Sequence, residues 1–239
     1  MDVGDHLTRI GNEAELLARA AAAGPLDARV PGCPDWDVEA LVLHTGNVHR
    51  WAGRIVRGRL QERPSREPQR PAEGVDLLAW FREGATELVA ALGSVSPGES
   101  FWQWAPAPTT QMFWARRQAN ETSMHRWDAQ SAHGEADGFA TDVAVDALDE
   151  WLMIIERNAR IPTGGGRTLH LHATDGDGEW VVSLGDAVSV ERGHARADCA
   201  VRASASDLYL LAMNRRGAEG LEVFGDTGVL DAWRENVSF

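Results

Sequence analysis

Two residues four positions apart, Glu121 and His125, are the first candidates for chemistry in this sequence. They lie in a run from about Phe113 to Ala132 that contains neither proline nor glycine, which predicts a helix. On a helix this spacing places a carboxylate and an imidazole on one face, one turn apart, where each can give one donor atom to the same cation. Because such pairs are usually solvated hydrogen bonds, the spacing alone is weak support for a metal site.

A third donor could come from another predicted helix, which contains residues 41 to 52. His44 lies three residues after Leu41 and four before Val48, on or beside the apolar stripe of this helix. A histidine in such a place is more often a core residue than a ligand. Its helix could nevertheless face the helix of Glu121 in a bundle, where metal sites are built from facing side chains. His49 is a competing candidate on the same helix, and spacing does not choose between the two histidines.

Several stretches occur in a fixed order along the chain: VPGCPDWDV at residues 30–38, LVLHTG at 41–46, ETSMHRWD at 121–128, TLHLHATD at 168–175 and ASDL at 205–208. Together they resemble the mycothiol-dependent maleylpyruvate isomerase family, a branch of the DinB-like metalloproteins. The resemblance covers most of the chain. It implies that His44, Glu121 and His125 are the metal ligands and that the thiol cosubstrate is mycothiol.

Composition excludes several classes of function. The chain has 239 residues and a formal net charge of −13, and all 23 of its basic residues are arginines. An acidic chain with scattered arginines is repelled by nucleic acid, so we expect no nucleic-acid partner. The absence of lysine excludes Schiff-base chemistry and a lysine general base.

The cellular setting and assembly state are further expectations. The two cysteines, Cys33 and Cys199, offer no disulfide framework and fit a reduced compartment, and Cys33 stands in a turn that we interpret as structural. No apolar run has the length of a membrane span, and the N-terminus lacks the pattern of a signal peptide, so we expect a cytoplasmic protein without a membrane partner. We expect a monomer or a homodimer.

Periodicity predicts an α+β protein with two parts. Residues 1–160 read as a four-helix bundle followed by a linking helix over 141–160, with Thr141 as its N-cap. A glycine-rich linker follows at 162–166. Residues 167–239 read as a small α+β domain with a mainly antiparallel sheet. The resemblance implies that the bundle is DinB-like and that the second domain is sterol-carrier-like.

Three further segments bear on function. The proline- and arginine-rich segment 61–74 predicts a solvated loop and no functional patch. The aromatic segment 101–108 could be a lid or pocket wall, but packing that closes one end of the bundle is favoured. His170 and His172 alternate along a predicted strand and share one face. Since no third ligand is visible nearby, we interpret them as exposed strand histidines.

Two histidines and one glutamate leave a coordination position open, as in catalytic zinc sites, although the same donors also suit iron(II). Such a site can activate either water or a thiol, and the resemblance favours mycothiol. A thiolate could add to a small electrophile, giving conjugation, or leave again after bond rotation, giving cis–trans isomerisation. We therefore predict a mycothiol-dependent S-transferase or maleylpyruvate-type isomerase, the transferase slightly ahead. The alternatives are a metal-hydroxide hydrolase and a non-catalytic protein that binds a metal and a small ligand.

An arginine is the remaining candidate for the site. Arg215 or Arg216 matches an arginine of the second domain in the family, and either could contact a substrate carboxylate in an interdomain cleft. The competing interpretation is a surface arginine at the C-terminal end of a helix, where the helix dipole favours a positive charge.

Overall fold

A computed structural model of the protein describes residues 1–134, 136–157 and 165–237. It divides into two compact units, Met1–Asp137 and Gly138–Phe239. Within the described residues, the first unit is all helical and the second combines helices with a five-stranded sheet, which confirms the predicted α+β class. Among the same residues, none of the helices combines the length and apolar character that a membrane crossing requires.

Four helices form the first unit: α1 (Val3–Ala22), α2 (Val38–Gly58), α3 (Leu77–Gly93) and α4 (Thr110–Ser131). The residue before each helix has a short oxygen-bearing side chain that accepts a hydrogen bond from a backbone N–H in the first turn. These residues are Asp2, Asp37, Asp76 and Thr109. Each cap satisfies a backbone donor that has no partner within its helix, so the four helix starts are fixed locally.

The core of the bundle is largely apolar, and most of its buried polar residues are on α4. Leu17, Leu41 and Phe81 are fully buried in it. On α4, by contrast, nine consecutive residues from Gln118 to Arg126 are buried, and most of them are polar. Several of these side chains are paired with α1: Arg9 donates to Asn120 Oδ1 at 2.5 Å, and Arg126 donates to Glu13 Oε2 at 2.7 Å. Polar groups can be buried here because they have partners.

The described part of the second unit contains three helices and five strands: α5 (Thr141–Glu156), β1 (Arg167–Ala173), β2 (Glu179–Leu184), β3 (Val188–Arg192), β4 (Cys199–Ala203), α6 (Ala205–Ala212), β5 (Glu222–Gly225) and α7 (Gly228–Asn236). The strand order is β3-β2-β1-β4-β5. Only the β1–β4 pair is parallel among these described strands, which confirms the mainly antiparallel sheet.

Helix α5 clusters with the second unit, whereas the sequence placed residues 141–160 with the bundle. Its buried side is anchored there by indole hydrogen bonds: Trp151 donates to Ala212 O at 3.0 Å, and Trp180 of β2 donates to Asp149 Oδ1 at 2.7 Å. The predicted cap was wrong, because Thr141 is the first helical residue and donates its hydroxyl to Asp175. The predicted linker at 162–166 lies mostly outside the described residues.

Candidate metal centre

The structure brings His44, Glu121 and His125 together within the helical unit. Their helices, α2 and α4, pack against each other, so the side chains meet at the contact between them. Nε2 of His44 lies 3.2 Å from Glu121 Oε1, and Nε2 of His125 lies 3.4 Å from the same oxygen. One donor atom from each residue therefore lies close to a common point.

These separations fit a divalent ion of the zinc type. Ligand bonds of zinc are about 2.0–2.1 Å, so neighbouring ligand atoms in a tetrahedral site lie about 3.3 Å apart. The two nitrogen-to-oxygen distances, 3.2 and 3.4 Å, match that spacing. Two imidazoles and one carboxylate are also donors that zinc and iron(II) accept.

A buried carboxylate orients His125. Nδ1 of His125 donates to Asp128 Oδ2 at 3.0 Å, and the side chain of Asp128 is fully buried. With Nδ1 acting as the donor, the neutral ring carries its lone pair on Nε2, the atom that faces Glu121. The thiol of Cys33 contacts the same Asp128 oxygen at 3.7 Å. The spacing of His125 and Asp128, three residues apart on α4, is the sequence signal for this orienting role.

An arginine holds Glu121 in place. Arg117 donates to Glu121 Oε2 at 2.6 Å, one helical turn away, so Oε1 is left to face the two histidines. Burial by itself raises the pKa of Glu121, but Arg117, His125 and His44 together lower it well below its ordinary value. The carboxylate is therefore ionised at neutral pH and available to a cation. Sequence reasoning did not select Arg117, although its spacing from Glu121 is visible in the sequence.

A proton on His125 opposes metal binding. Burial alone lowers the pKa of His125, but its hydrogen bonds to Asp128 and Glu121 raise that pKa to about 9. A cation that binds Nε2 at neutral pH must therefore displace one proton from this imidazole.

His49, the competing candidate, is not part of this group. It is fully buried, its Nε2 lies 2.9 Å from the hydroxyl of Thr122, and its ring stacks on Phe81 at a centroid distance of 5.5 Å. Burial lowers its pKa to about 3, so the ring is neutral at physiological pH. His49 is a core histidine of the bundle, as its position among apolar residues allowed.

The turn before α2 places an indole beside the two histidines. The ring of Trp36 lies 4.6 Å from the ring of His44 and 5.9 Å from that of His125, measured between centroids. Backbone hydrogen bonds between Val30, Cys33 and Trp36 close this turn. Trp36 thus covers one side of the cluster and limits the access of water to it.

A cavity of about 420 Å³ begins at this cluster, and both Trp36 and His44 line it. Four arginines also line it: Arg50, Arg54, Arg66 and Arg70. The guanidinium of Arg66 lies 4.3 Å from the ring centre of Trp51, another lining residue. Residues 65–70 form one wall of this cavity, so segment 61–74 is more than the solvated loop that its composition predicted.

The aromatic segment after α3 packs as expected. Phe101 is buried, and the rings of Trp51, Trp102 and Trp114 lie 5.4–5.9 Å apart between centroids. Trp114 also donates its indole N–H to Trp102 O at 2.8 Å. Because Trp51 belongs to both groups, this packing also supports the cavity wall.

Arg215 and Arg216 follow α6 in the second unit. Arg216 forms an ion pair with Asp207 and donates to Gly217 O and Glu219 O at 3.1 and 2.8 Å. Arg215 donates to Met213 O at 3.1 Å. Their role in catalysis stays a prediction.

Comparison with known families identifies the chain. Residues 7–130 match the family model described as "Mycothiol maleylpyruvate isomerase N-terminal domain". The chain belongs to the mycothiol maleylpyruvate isomerase family. Residues 142–232 match the model of the C-terminal domain of the same family. This membership confirms the predicted family and places the chain among enzymes.

Solved structures agree on the fold of this family. A crystal structure of the mycothiol-dependent maleylpyruvate isomerase aligns with a TM-score of 0.62 at 14% identity, and covers 93% of each chain. A histidine-to-alanine mutant of that enzyme aligns with a TM-score of 0.63 at 12% identity, again over 93% of each chain. At these identities the likeness concerns the fold. No curated protein matches the chain.

Proposed function

We propose that this family member is a divalent-metal-dependent enzyme, with zinc the best-suited ion, that uses mycothiol to transfer sulfur to a small electrophile or to isomerise it. The observation that carries the proposal is the meeting of His44, Glu121 and His125, of which His44 also lines a cavity large enough for a small molecule. The three ligands leave a coordination position open, which a purely structural site does not need.

His44, Glu121 and His125 would hold the ion. When bound, a zinc ion with an open position lowers the pKa of a thiol that occupies it, which supplies a thiolate nucleophile at neutral pH. Asp128 keeps the imidazole of His125 in the tautomer that presents Nε2. Arg117 keeps Glu121 Oε1 turned toward the two rings.

The residues that line the cavity would bind the thiol and the electrophile. The cavity volume of about 420 Å³ falls in the range of small-ligand pockets. Trp36 shields the reacting groups from water, and the guanidinium groups offer donors to the hydroxyl and carbonyl oxygens of a sugar-bearing thiol.

The charge of the cavity favours an anionic electrophile. Four arginines line it, against one acidic lining residue, Glu67. Guanidinium groups bind carboxylates in a bidentate manner, and the guanidinium of Arg66 is held over the ring of Trp51 at this wall. We therefore propose a substrate that carries at least one carboxylate beside its reactive double bond or leaving group.

Cobalt(II) substitution tests the thiol part of this proposal. The cobalt-loaded protein would be titrated with mycothiol and then with glutathione, and a sulfur-to-cobalt charge-transfer band would be recorded. We expect the band at a much lower concentration of mycothiol than of glutathione. The variant His125→Ala should lose the band, whereas His49→Ala should keep it because His49 contacts Thr122 instead of the cluster.

Two outcomes would replace the proposal. If no thiol gives the band while a coordinated water still exchanges, a metal-hydroxide hydrolase becomes the better assignment. If the ion at His44, Glu121 and His125 has a fourth protein ligand and exchanges neither water nor thiol, a non-catalytic binding protein is favoured.

A further inference from the structure

A second group of histidines lies in the second unit and plays no part in the chemistry proposed above. The sequence contains three histidines after residue 137, namely His170, His172 and His194. The first two are on β1, and the third follows β3. All three converge on one carboxylate, that of Glu179, the first residue of β2. Scattered surface histidines have no reason to meet in this way.

The register of the sheet produces this convergence. His172 is directly opposite Glu179 in the antiparallel β1–β2 pair, so the two side chains share a face of the sheet, and His170 lies on the same face two residues earlier. Nδ1 of His172 lies 2.6 Å from Glu179 Oε1. The rings of His170 and His172 are 6.0 Å apart between centroids.

The segment after β3 turns back toward Glu179 and places His194 beside it. The backbone N–H of Gly193 donates to Glu179 O at 3.1 Å, and Gly193 has a φ of +134°, a conformation that favours glycine. Nδ1 of His194 then lies 3.0 Å from Glu179 Oε2, and its ring is 5.1 Å from that of His170.

His170 carries the second, independent observation. Only 5% of this residue is exposed, and its Nε2 is buried without a hydrogen-bond partner among the residues that the structure describes. This atom lies 3.5 Å from Glu179 Oε2, beyond the usual hydrogen-bond range of about 2.7–3.2 Å. A buried polar atom without a partner is destabilising, and native proteins rarely leave one without a cause. A coordinated cation would satisfy it.

We propose that His170, His172, Glu179 and His194 form a second metal site, for a divalent transition ion of the zinc type. Three imidazole nitrogens and one carboxylate oxygen are donors of the borderline kind that zinc prefers. Four protein ligands fill a tetrahedral shell, so the site is structural or regulatory and does not activate a substrate. A bound ion ties the β1–β2 hairpin to the segment after β3.

The competing explanation is a hydrogen-bond network around Glu179. It accounts for the contacts of His172 and His194, but it gives Nε2 of His170 only the long 3.5 Å approach to Glu179 Oε2. Zinc binding by the full-length chain decides between the two explanations.

The test is zinc titration against a chromophoric chelator, with the metal-free full-length protein. We expect two zinc ions per chain for wild type and one for His125→Ala, which disables the helical cluster. In that background, His194→Ala should weaken the remaining site at least about tenfold. His194 suits this test because its side chain is 77% exposed, so its removal leaves the fold intact. His133→Ala, at a partly buried position outside both clusters, controls for the loss of an imidazole and should bind zinc as its parent does.

Cobalt(II) separates this proposal from the one for the helical cluster. In His125→Ala, cobalt should still give the visible absorption of a four-coordinate ion, no thiol should alter it, and Glu179→Gln should abolish it. If His125→Ala binds no zinc and gives no such spectrum, the sheet site does not exist, whatever the helical cluster does. The same conclusion follows if residual binding is unchanged by His194→Ala and by Glu179→Gln.

Discussion

The two histidine–glutamate clusters contain the same types of side chain but differ in how many donors meet and in what holds those donors in place. In the helical unit, three donors meet, and two of them are held from behind, His125 by Asp128 and Glu121 by Arg117. In the sheet unit, Glu179 alone contacts all three histidines. The first arrangement is incomplete around an ion and borders a cavity, whereas the second can surround an ion completely. On the two proposals above, the number of donors, and not their type, would separate a site for substrate from a site for stability.

The largest difference should be in catalysis. Glu121→Gln removes the charge shared by the helical ligands, and we expect turnover to fall at least about a hundredfold, because even the loss of an outer-shell partner costs about 10–100-fold. The same change in the sheet cluster, Glu179→Gln, should leave turnover within about twofold. The measurement is the kcat for a mycothiol-dependent reaction, with circular dichroism to verify folding. Equal losses in the two variants would show that the sheet cluster takes part in catalysis.

The support behind the helical ligands can be measured separately. Asp128→Asn keeps the shape of the side chain but weakens its hydrogen bond to His125, so zinc affinity at the helical cluster should fall about 10–100-fold. Chelator competition gives the affinity. Asp27→Asn, an exposed position in the same unit, is the control and should not change it. An unchanged affinity in Asp128→Asn would mean that α4 alone orients His125.

His49, which contacts a hydroxyl and not a carboxylate, adds a third case to the comparison. Burial lowers the pKa of His49 to about 3, so the native state keeps this ring neutral while the unfolded chain takes up a proton below about pH 6.5. The contribution of His49 to the free energy of unfolding is therefore fully present above that pH. It declines by about 1.4 kcal/mol per pH unit as the pH falls toward 3. Between pH 6.5 and 5, wild type should lose about 2 kcal/mol more stability than His49→Gln.

Urea unfolding at the two pH values measures this difference. His49→Gln should be less stable than wild type at pH 7, because it disturbs the stacking on Phe81. Parallel losses of stability in the two proteins would show that His49 is not the group that takes up the proton.

The cavity is a further feature that distinguishes the helical cluster. Arg66→Gln removes a guanidinium from its wall, and for a carboxylate-bearing electrophile KM should rise about tenfold, as expected for one charge-assisted hydrogen bond. Arg57→Gln is the control, since Arg57 pairs with Glu87 and does not line the cavity. A neutral electrophile should show no such increase. An equal rise for both substrates would place the role of Arg66 in folding or in thiol binding.

The smallest effect concerns the second unit. If the proposed role in turnover holds, Arg215→Ala or Arg216→Ala should lower kcat/KM by up to about tenfold without changing zinc content. Arg216 pairs with Asp207 at a partly exposed position, so its removal should cost less than about 1 kcal/mol of stability. Unchanged kinetics in both variants would leave these arginines as surface residues.

Much of the helical cluster was predictable, because local spacing determines it. Helical spacing alone places Glu121 beside His125, and it also places Asp128 and Arg117 within one turn. The choice of His44 over His49 required the family resemblance, since both histidines are on α2 and both contact α4, His44 at Glu121 and His49 at Thr122.

The sheet cluster was not predictable for a physical reason. The alternation of His170 and His172 was visible, but their partners depend on strand register and on a backbone turn at Gly193 that has no local signal in the sequence. The cavity wall at residues 65–70 was missed for a similar reason: a polar, proline-rich segment has the same composition whether it faces solvent or a binding site. Helix α5 was assigned to the wrong neighbour because periodicity shows which side is apolar and not what covers it.

The unbroken burial of α4 has a consequence for how this protein can be changed. Most helices have a side that tolerates almost any residue, and random variation accumulates there. Between Gln118 and Arg126 α4 has no such side. A saturation library over these nine positions should therefore contain few functional members. Residues 65–70 belong to a loop that forms one wall of the cavity, and they should accept far more variation. A new substrate range is best sought by varying that loop while α4 is kept constant.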